Sequence, residues 1–126
     1  MTDKTKNPPR QTFPRKHKLP NEFAYKRVFA GAQTSRDKYF TILLRNNEGD
    51  GARLGIIAAK RKLPRAVDRN RAKRIIRESF RRNRDLLDAS DVIVLAQAAA
   101  GGAENSILFE SLDRHWRRCH ELAGRD

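Results

Sequence analysis

The sequence predicts a single mixed α/β domain with the element order αββαβα. Three observations point to it. Two runs rich in β-branched and aromatic residues, Tyr39–Leu44 and Arg53–Ala59, flank a Gly/Asn turn cluster. A long stretch of helical periodicity from Ala66 separates them from a third, nearly continuous apolar run, Asp91–Gln97. A further amphipathic stretch follows Gly101-Gly102. The 126 residues fit one domain that can bury a core without metal or disulfide support.

The elements follow in order. Residues 1–18 hold Pro8, Pro9, Pro14 and six basic residues with little apolar content, so a flexible basic segment is expected there, ahead of a domain over 19–123. A first short helix begins near Pro20-Asn21-Glu22, with Phe23, Val28 and Phe29 as its apolar stripe and Gly31 at its end. In the strand Tyr39–Leu44, alternation sets Phe40, Ile42 and Leu44 toward the core and Tyr39, Thr41 and Leu43 toward the first helix. The turn cluster Asn46–Gly51 is short, so the second strand is expected to fold back as an antiparallel hairpin. From Ala66 to about Leu87 a helix places Ala72, Ile75, Ile76, Ser79 and Phe80 in one arc. Asn70, Lys73, Arg74, Arg77 and Arg81 fall in another. The run Asp91–Gln97 reads as a central strand covered on both faces. Asn105 is placed to cap a last helix carrying Leu108, Leu112, Trp116, Cys119 and Leu122 on one stripe. Ile76, Phe80, Val92, Val94, Leu112 and Trp116 are expected in the core.

Charge narrows the function. The net charge is +13, and it is unevenly spread. Residues 1–84 carry 24 Lys and Arg against 7 Asp and Glu, and residues 85–126 carry 4 against 8. Folding cannot mix such blocks evenly, so one surface should hold a strong positive field suited to nucleic acid. No apolar run approaches a membrane span, and the N-terminus has no secretory apolar segment. The single cysteine, Cys119, forbids an internal disulfide and agrees with a cytoplasmic location.

The strongest segment is Lys60–Arg84, with 12 basic residues and 2 acidic ones. Lys73, Arg77 and Arg81 recur every four residues along one helix face, a rise that can follow a phosphate backbone. Asn70 can pair with a base edge or a 2′-OH. A salt-bridged solvated face would need acidic partners, and only Asp68 and Glu78 are available.

Gly55-Ile56-Ile57-Ala58-Ala59-Lys60-Arg61 followed by Ala66 to Arg81, with its Arg69-Asn70-Arg71-Ala72-Lys73-Arg74 core, resembles the signature of the bacterial ribonuclease P protein family. Val28-Phe29 and Trp116-Arg117-Arg118 extend the resemblance over roughly 18–123; Arg65 departs from it, standing where some members have glycine. The resemblance implies a two-layer α/β sandwich with a mixed sheet and a left-handed βαβ crossover. It implies a subunit that helps a catalytic RNA remove the 5′ leader of precursor tRNA. Arg69, Asn70, Arg71, Lys73, Arg74, Arg77 and Arg81 would contact that RNA. Tyr25, Phe29, Tyr39 and Thr41 would line a cleft for the leader, and Lys60 and Arg61 would meet leader phosphates. The partners implied are ribonuclease P RNA and precursor tRNA, in a 1:1 ribonucleoprotein, with Mg²⁺ held mainly by the RNA and no organic cofactor.

Other chemistry lacks its residues. There is no Gly-rich phosphate loop, and the basic region holds no acidic pair for two catalytic Mg²⁺ ions, so the protein alone does not read as a nuclease. His115 and Cys119 are spaced i, i+4, but two ligands do not make a zinc site, and Cys119 is expected in the core. A ribosomal-type RNA-binding module has the same composition and is separated only by the motif. A helix-turn-helix DNA binder is disfavoured by the strand and Lys-Arg-Lys-Leu-Pro-Arg loop before the basic helix.

Overall fold

A computed structural model describes residues 15–49, 51–87 and 89–123. Helix α1 spans Glu22–Gly31, and strand β1 spans Gln33–Arg36. Strands β2 and β3 span Phe40–Asn46 and Arg53–Ile57. Helix α2 spans Ala66–Arg82, β4 spans Ser90–Ala96 and α3 spans Asn105–Ala123. The family-type mixed α+β architecture expected from the sequence is present, with one strand more than the order αββαβα. That strand, Gln-Thr-Ser-Arg, buries only Ser35 and has no apolar alternation to announce it.

The sheet order is β1-β2-β4-β3. The expected β2–β3 hairpin does not form, because β4 lies between them, antiparallel to β2 and parallel to β3. The connection must therefore cross two strand spacings, about 10 Å, which six residues span easily. Asn47 secures it over the start of β4: its backbone N–H donates to Ala89 O at 2.8 Å, and its side-chain amide donates to Asp91 Oδ1 and to Gly51 O. Glu48, Gly49 and Gly51 take positive φ there, which suits the two glycines. Asp91, buried at the same end, receives both arms of Arg53 at 2.8 Å.

Two apolar clusters occupy opposite faces of this sheet, as strand alternation requires. The larger joins Phe40, Ile42, Leu44, Val92 and Val94 to the inner faces of α2 and α3. The arc Ala72, Ile75, Ile76, Ser79 and Phe80 is the buried set of α2, and all six expected core residues have zero exposure. The smaller cluster joins Ile93 and Leu43 to Ala24 and Val28 of α1. Here the expected stripe is corrected: Ala24 and Val28 pack inward, while Phe23 and Phe29 are exposed.

Local boundaries also shift. Asn21 caps α1 by accepting the Ala24 N–H at 3.0 Å. Helix α2 stops at Arg82 rather than near Leu87, and Arg84–Leu87 form a 3₁₀ turn. Asn105 is the first residue of α3 rather than its cap; its side-chain oxygen accepts from Arg71. Most of the expected flexible segment 1–18 lies outside the described residues. Its end does not: Arg15–His17 make a 3₁₀ turn and Lys18 bridges to Leu54.

Candidate nucleic-acid interface

Packing of the α2 apolar arc on the sheet turns the opposite arc outward. Asn70, Arg74, Arg77 and Arg81 are exposed and Lys73 is half-buried. None of the four cations on this face has an acidic partner among the described residues. Glu78 is taken by Arg82 at 2.6 Å, and Asp68 lies 3.5 Å from Arg65. Unpaired like charges along a helix repel one another, so this face is poised for an anionic ligand.

The remaining arginines of the motif face inward. Arg71 donates from one terminal nitrogen to Ala103 O and Asn105 Oδ1, and from the other to Ala100 O and Gly101 O. It clamps the start of α3 and the 3₁₀ turn Ala98–Gly102 to α2. Arg69 uses one terminal nitrogen to hold Leu63 O and Pro64 O of the preceding loop. Sequence spacing could not separate these two from the outward cations, because their acceptors come from elsewhere in the chain.

On the α1 face, cross-strand register lays residues in rows. One row, Leu43–Ile93–Gly55, lies under α1. The phenol end of Tyr25 lies against Gly55: a Cβ there would meet its Cζ and hydroxyl oxygen at 2.6 Å. A glycine inside a strand marks such a close approach, and that signal was readable. The next row, Arg36–Thr41–Leu95–Ile57, is only partly covered. Gln97 reaches Thr41 Oγ1 at 3.3 Å. Phe29, one turn along from Tyr25, is 49% exposed. Lys60 and Arg61 are exposed in the turn that leaves β3 beyond Ile57, at the same end of the sheet. Tyr39 stands just ahead of β2 and packs at the margin of the larger cluster, under the Lys38 ammonium at 5.2 Å.

The structure thus brings Tyr25, Thr41, Lys60 and Arg61 to one end of one sheet face, whereas Tyr39, expected to face the first helix, packs on the larger cluster of the opposite face because it precedes β2 and is outside its alternation. Among the described residues no group of three or more His, Cys, Asp or Glu side chains is arranged to hold a metal ion. Burial pushes the Cys119 thiol up to about 12, against the nearby Arg118, so it stays protonated as a core residue. No helix among the described residues is long and apolar enough to cross a membrane.

Comparison with known proteins adds a family to this geometry. The family model of ribonuclease P matches residues 13–120. The ribonuclease P protein component of Thioalkalivibrio sulfidiphilus is 44% identical over 108 residues, covering 86% of this chain and 90% of that protein. That of Methylococcus capsulatus is 38% identical over 111 residues, covering 85% and 87%. The structure of the Staphylococcus aureus RNase P protein superposes with a TM-score of 0.72 at 28% identity, covering 78% of this chain and 90% of that one. The RNase P protein from Thermotoga maritima gives 0.69 at 27% identity, covering 80% and 94%.

Proposed function

The chain belongs to the ribonuclease P protein family, whose role lies in tRNA 5′ processing, and from that premise we propose a division of labour between its two RNA-facing surfaces. The outward face of α2 binds the catalytic RNA through Asn70, Lys73, Arg74, Arg77 and Arg81, with Arg69 assisting. Arg71 serves the same contact from within, by fixing α3 against α2. The observation that carries this reading is the row of cations on α2 without acidic partners among the described residues. Each phosphate they neutralise releases condensed counterions, which supplies affinity without reading sequence.

The partly covered row beside α1 takes the single-stranded leader of precursor tRNA. Tyr25 and Phe29 offer faces for unstacked bases, and Thr41 lies on the floor. Lys60 and Arg61 meet the phosphates. Stacking is worth about 1–3 kcal/mol per base and tolerates any base, which suits a protein that meets many leaders. Groups that touch the leader bind precursor and not mature tRNA, so the groove favours substrate over product.

The chemistry belongs to the RNA. Among the described residues no group of acidic side chains converges to hold Mg²⁺; the metal is held mainly by the RNA subunit, and the protein alone does not cleave. The complex is a 1:1 ribonucleoprotein and works in the cytoplasm. Reconstitution tests this reading. Purified protein added to bacterial ribonuclease P RNA and precursor tRNA at low Mg²⁺ should restore cleavage at the mature 5′ end. The protein without RNA should give none. Cleavage by the protein alone, or no stimulation of the RNA, overturns it.

A further inference from the structure

We propose that the cavity between the β1 edge and α3 is a second RNA site, taking a backbone phosphate of the single strand where it leaves the groove over β1. This rests on the reading of the groove given above. The cavity has a volume of about 350 Å³ and is lined by Arg36, Arg114, Arg117 and Arg118 beside Asp37 and His115. The C-terminal third of the chain is acidic and holds only four basic residues, Arg114, Arg117, Arg118 and Arg125. Three of those four meet in this cavity, a concentration that overall composition does not produce.

Register ties the cavity to the groove. Arg36 pairs with Thr41, so it ends the partly covered row at the sheet edge and also lines the cavity. A strand of RNA lying along that row runs from Lys60 and Arg61 over the uncharged Ile57, Leu95 and Thr41 to Arg36, and so reaches the cavity at its positive rim.

The arginines are available. Arg36, Arg117 and Arg118 are exposed and make no hydrogen bond or ion pair with a described residue. Asp37 is the carboxylate best placed to neutralise them, and it is committed elsewhere. Its Oδ1 accepts the Tyr39 and Phe40 backbone N–H groups at 2.8 and 2.9 Å. Its Oδ2 accepts the Ser111 hydroxyl at 2.6 Å. Arg114 reaches Asp37 only at 3.8 Å. Glu121 is the other carboxylate of the lining. Four guanidinium groups against two carboxylates leave an excess of positive charge.

The frame is rigid. Buried His115 shares a 2.7 Å hydrogen bond with Ser35 of β1 through Nδ1, and its Nε2 lies 3.3 Å from Asp37. This contact locks α3 to the sheet edge, so the arginines project from fixed backbone. Guanidinium forks so held match phosphate oxygens better than they match scattered solvent anions.

The test uses the holoenzyme with precursors whose leaders lengthen stepwise. Arg117→Gln combined with Arg118→Gln alters two exposed side chains, and an unchanged melting curve checks the fold. The double variant should bind the shortest-leader precursor as the wild type does. Once the leader passes the sheet edge, its affinity should fall roughly three- to tenfold, with a salt slope shallower by about 0.7 per phosphate lost. Equal loss at every leader length, no loss at any, or weaker assembly with the catalytic RNA overturns the proposal. Tyr25→Ala measured in parallel separates the two readings. If it fails to distinguish precursor from mature tRNA, the groove reading falls by itself, while the leader-length dependence still reports on the cavity.

Discussion

Trp116 of α3 donates its indole N–H to Ser79 Oγ of α2 at 2.7 Å, and both residues are buried. Phe80 meets the same indole edge-on at 6.0 Å between ring centres. This seam fixes the rotation of α2 about its axis, and with it the outward aim of Lys73, Arg77 and Arg81. Ser79→Ala leaves a buried donor unsatisfied and should lower stability by about 1–3 kcal/mol. Urea denaturation followed by Trp116 fluorescence measures it; an unchanged midpoint would show that the bond contributes nothing.

Arg71 and Lys73 are two residues apart and should behave differently. Arg71→Ala removes the clamp on Ala100, Gly101, Ala103 and Asn105 and should lower the melting temperature. Arg71→Lys should not restore it, since an ammonium cannot hold both sets of oxygens with one planar fork. Lys73→Ala should leave the melting temperature near wild type and make the salt slope of RNA binding shallower by about one. The reverse pattern, with Arg71 setting the slope and Lys73 the stability, contradicts the assignment.

Tyr25→Ala should weaken holoenzyme binding to precursor tRNA with little effect on mature tRNA or on assembly with the catalytic RNA. Binding titrations with the three RNAs decide the matter. Equal losses for precursor and mature tRNA would mean that Tyr25 does not touch the leader.

Gly55→Ala forces a Cβ against the Tyr25 ring. Overpacking of this kind should cost about 1–3 kcal/mol. In the Tyr25→Ala background the same substitution should cost much less, because the clashing ring is gone. A double-mutant cycle reads the coupling, and additive effects would show that the contact does not govern the site.

Acid should loosen the α3–β1 junction. Burial holds the His115 imidazole below its ordinary value of 6.5, with Asp37 opposing and Arg114 and Arg118 assisting. Its folded value is depressed, so its contribution is fully present above about pH 6.5 and is lost as pH falls through the lower folded value. Asp37 follows at more acid pH. Burial opposes its ionisation, but the Ser111 hydroxyl, the Phe40 and Tyr39 N–H groups and His115 outweigh that and lower it from 3.8. Its contribution is present above that value and lost as pH falls through its folded value. His17 is also lowered, by burial and by Arg84 and Lys16. The melting temperature should thus drop between about pH 7 and pH 5, and His115→Gln should reduce that drop without abolishing it. An equally steep drop in the variant would remove His115 from the account.

The sequence by itself determined what rests on local periodicity. The α2 arc repeats at the helical period and was legible to the residue, and so were the unbroken apolar run of β4 and the alternation in β2. The unbalanced charge of Lys60–Arg84 survived folding because its few acidic neighbours are paired locally. Tertiary structure alone decided what depends on partners distant in the chain. The insertion of β4 between β2 and β3 is a non-local pairing that no turn signal encodes. Strand β1 buries a single serine and is held by its neighbour rather than by its own pattern. On α1, the small residues Ala24 and Val28 face the sheet and Phe23 stays outside, because the helix must approach closely enough for Tyr25 to rest on Gly55. Arg71 and Arg77 read alike in the sequence, yet one ends on protein carbonyls and the other outside. The difference lies in where the loop before α3 brings its oxygens, and that is fixed only when the two helices pack.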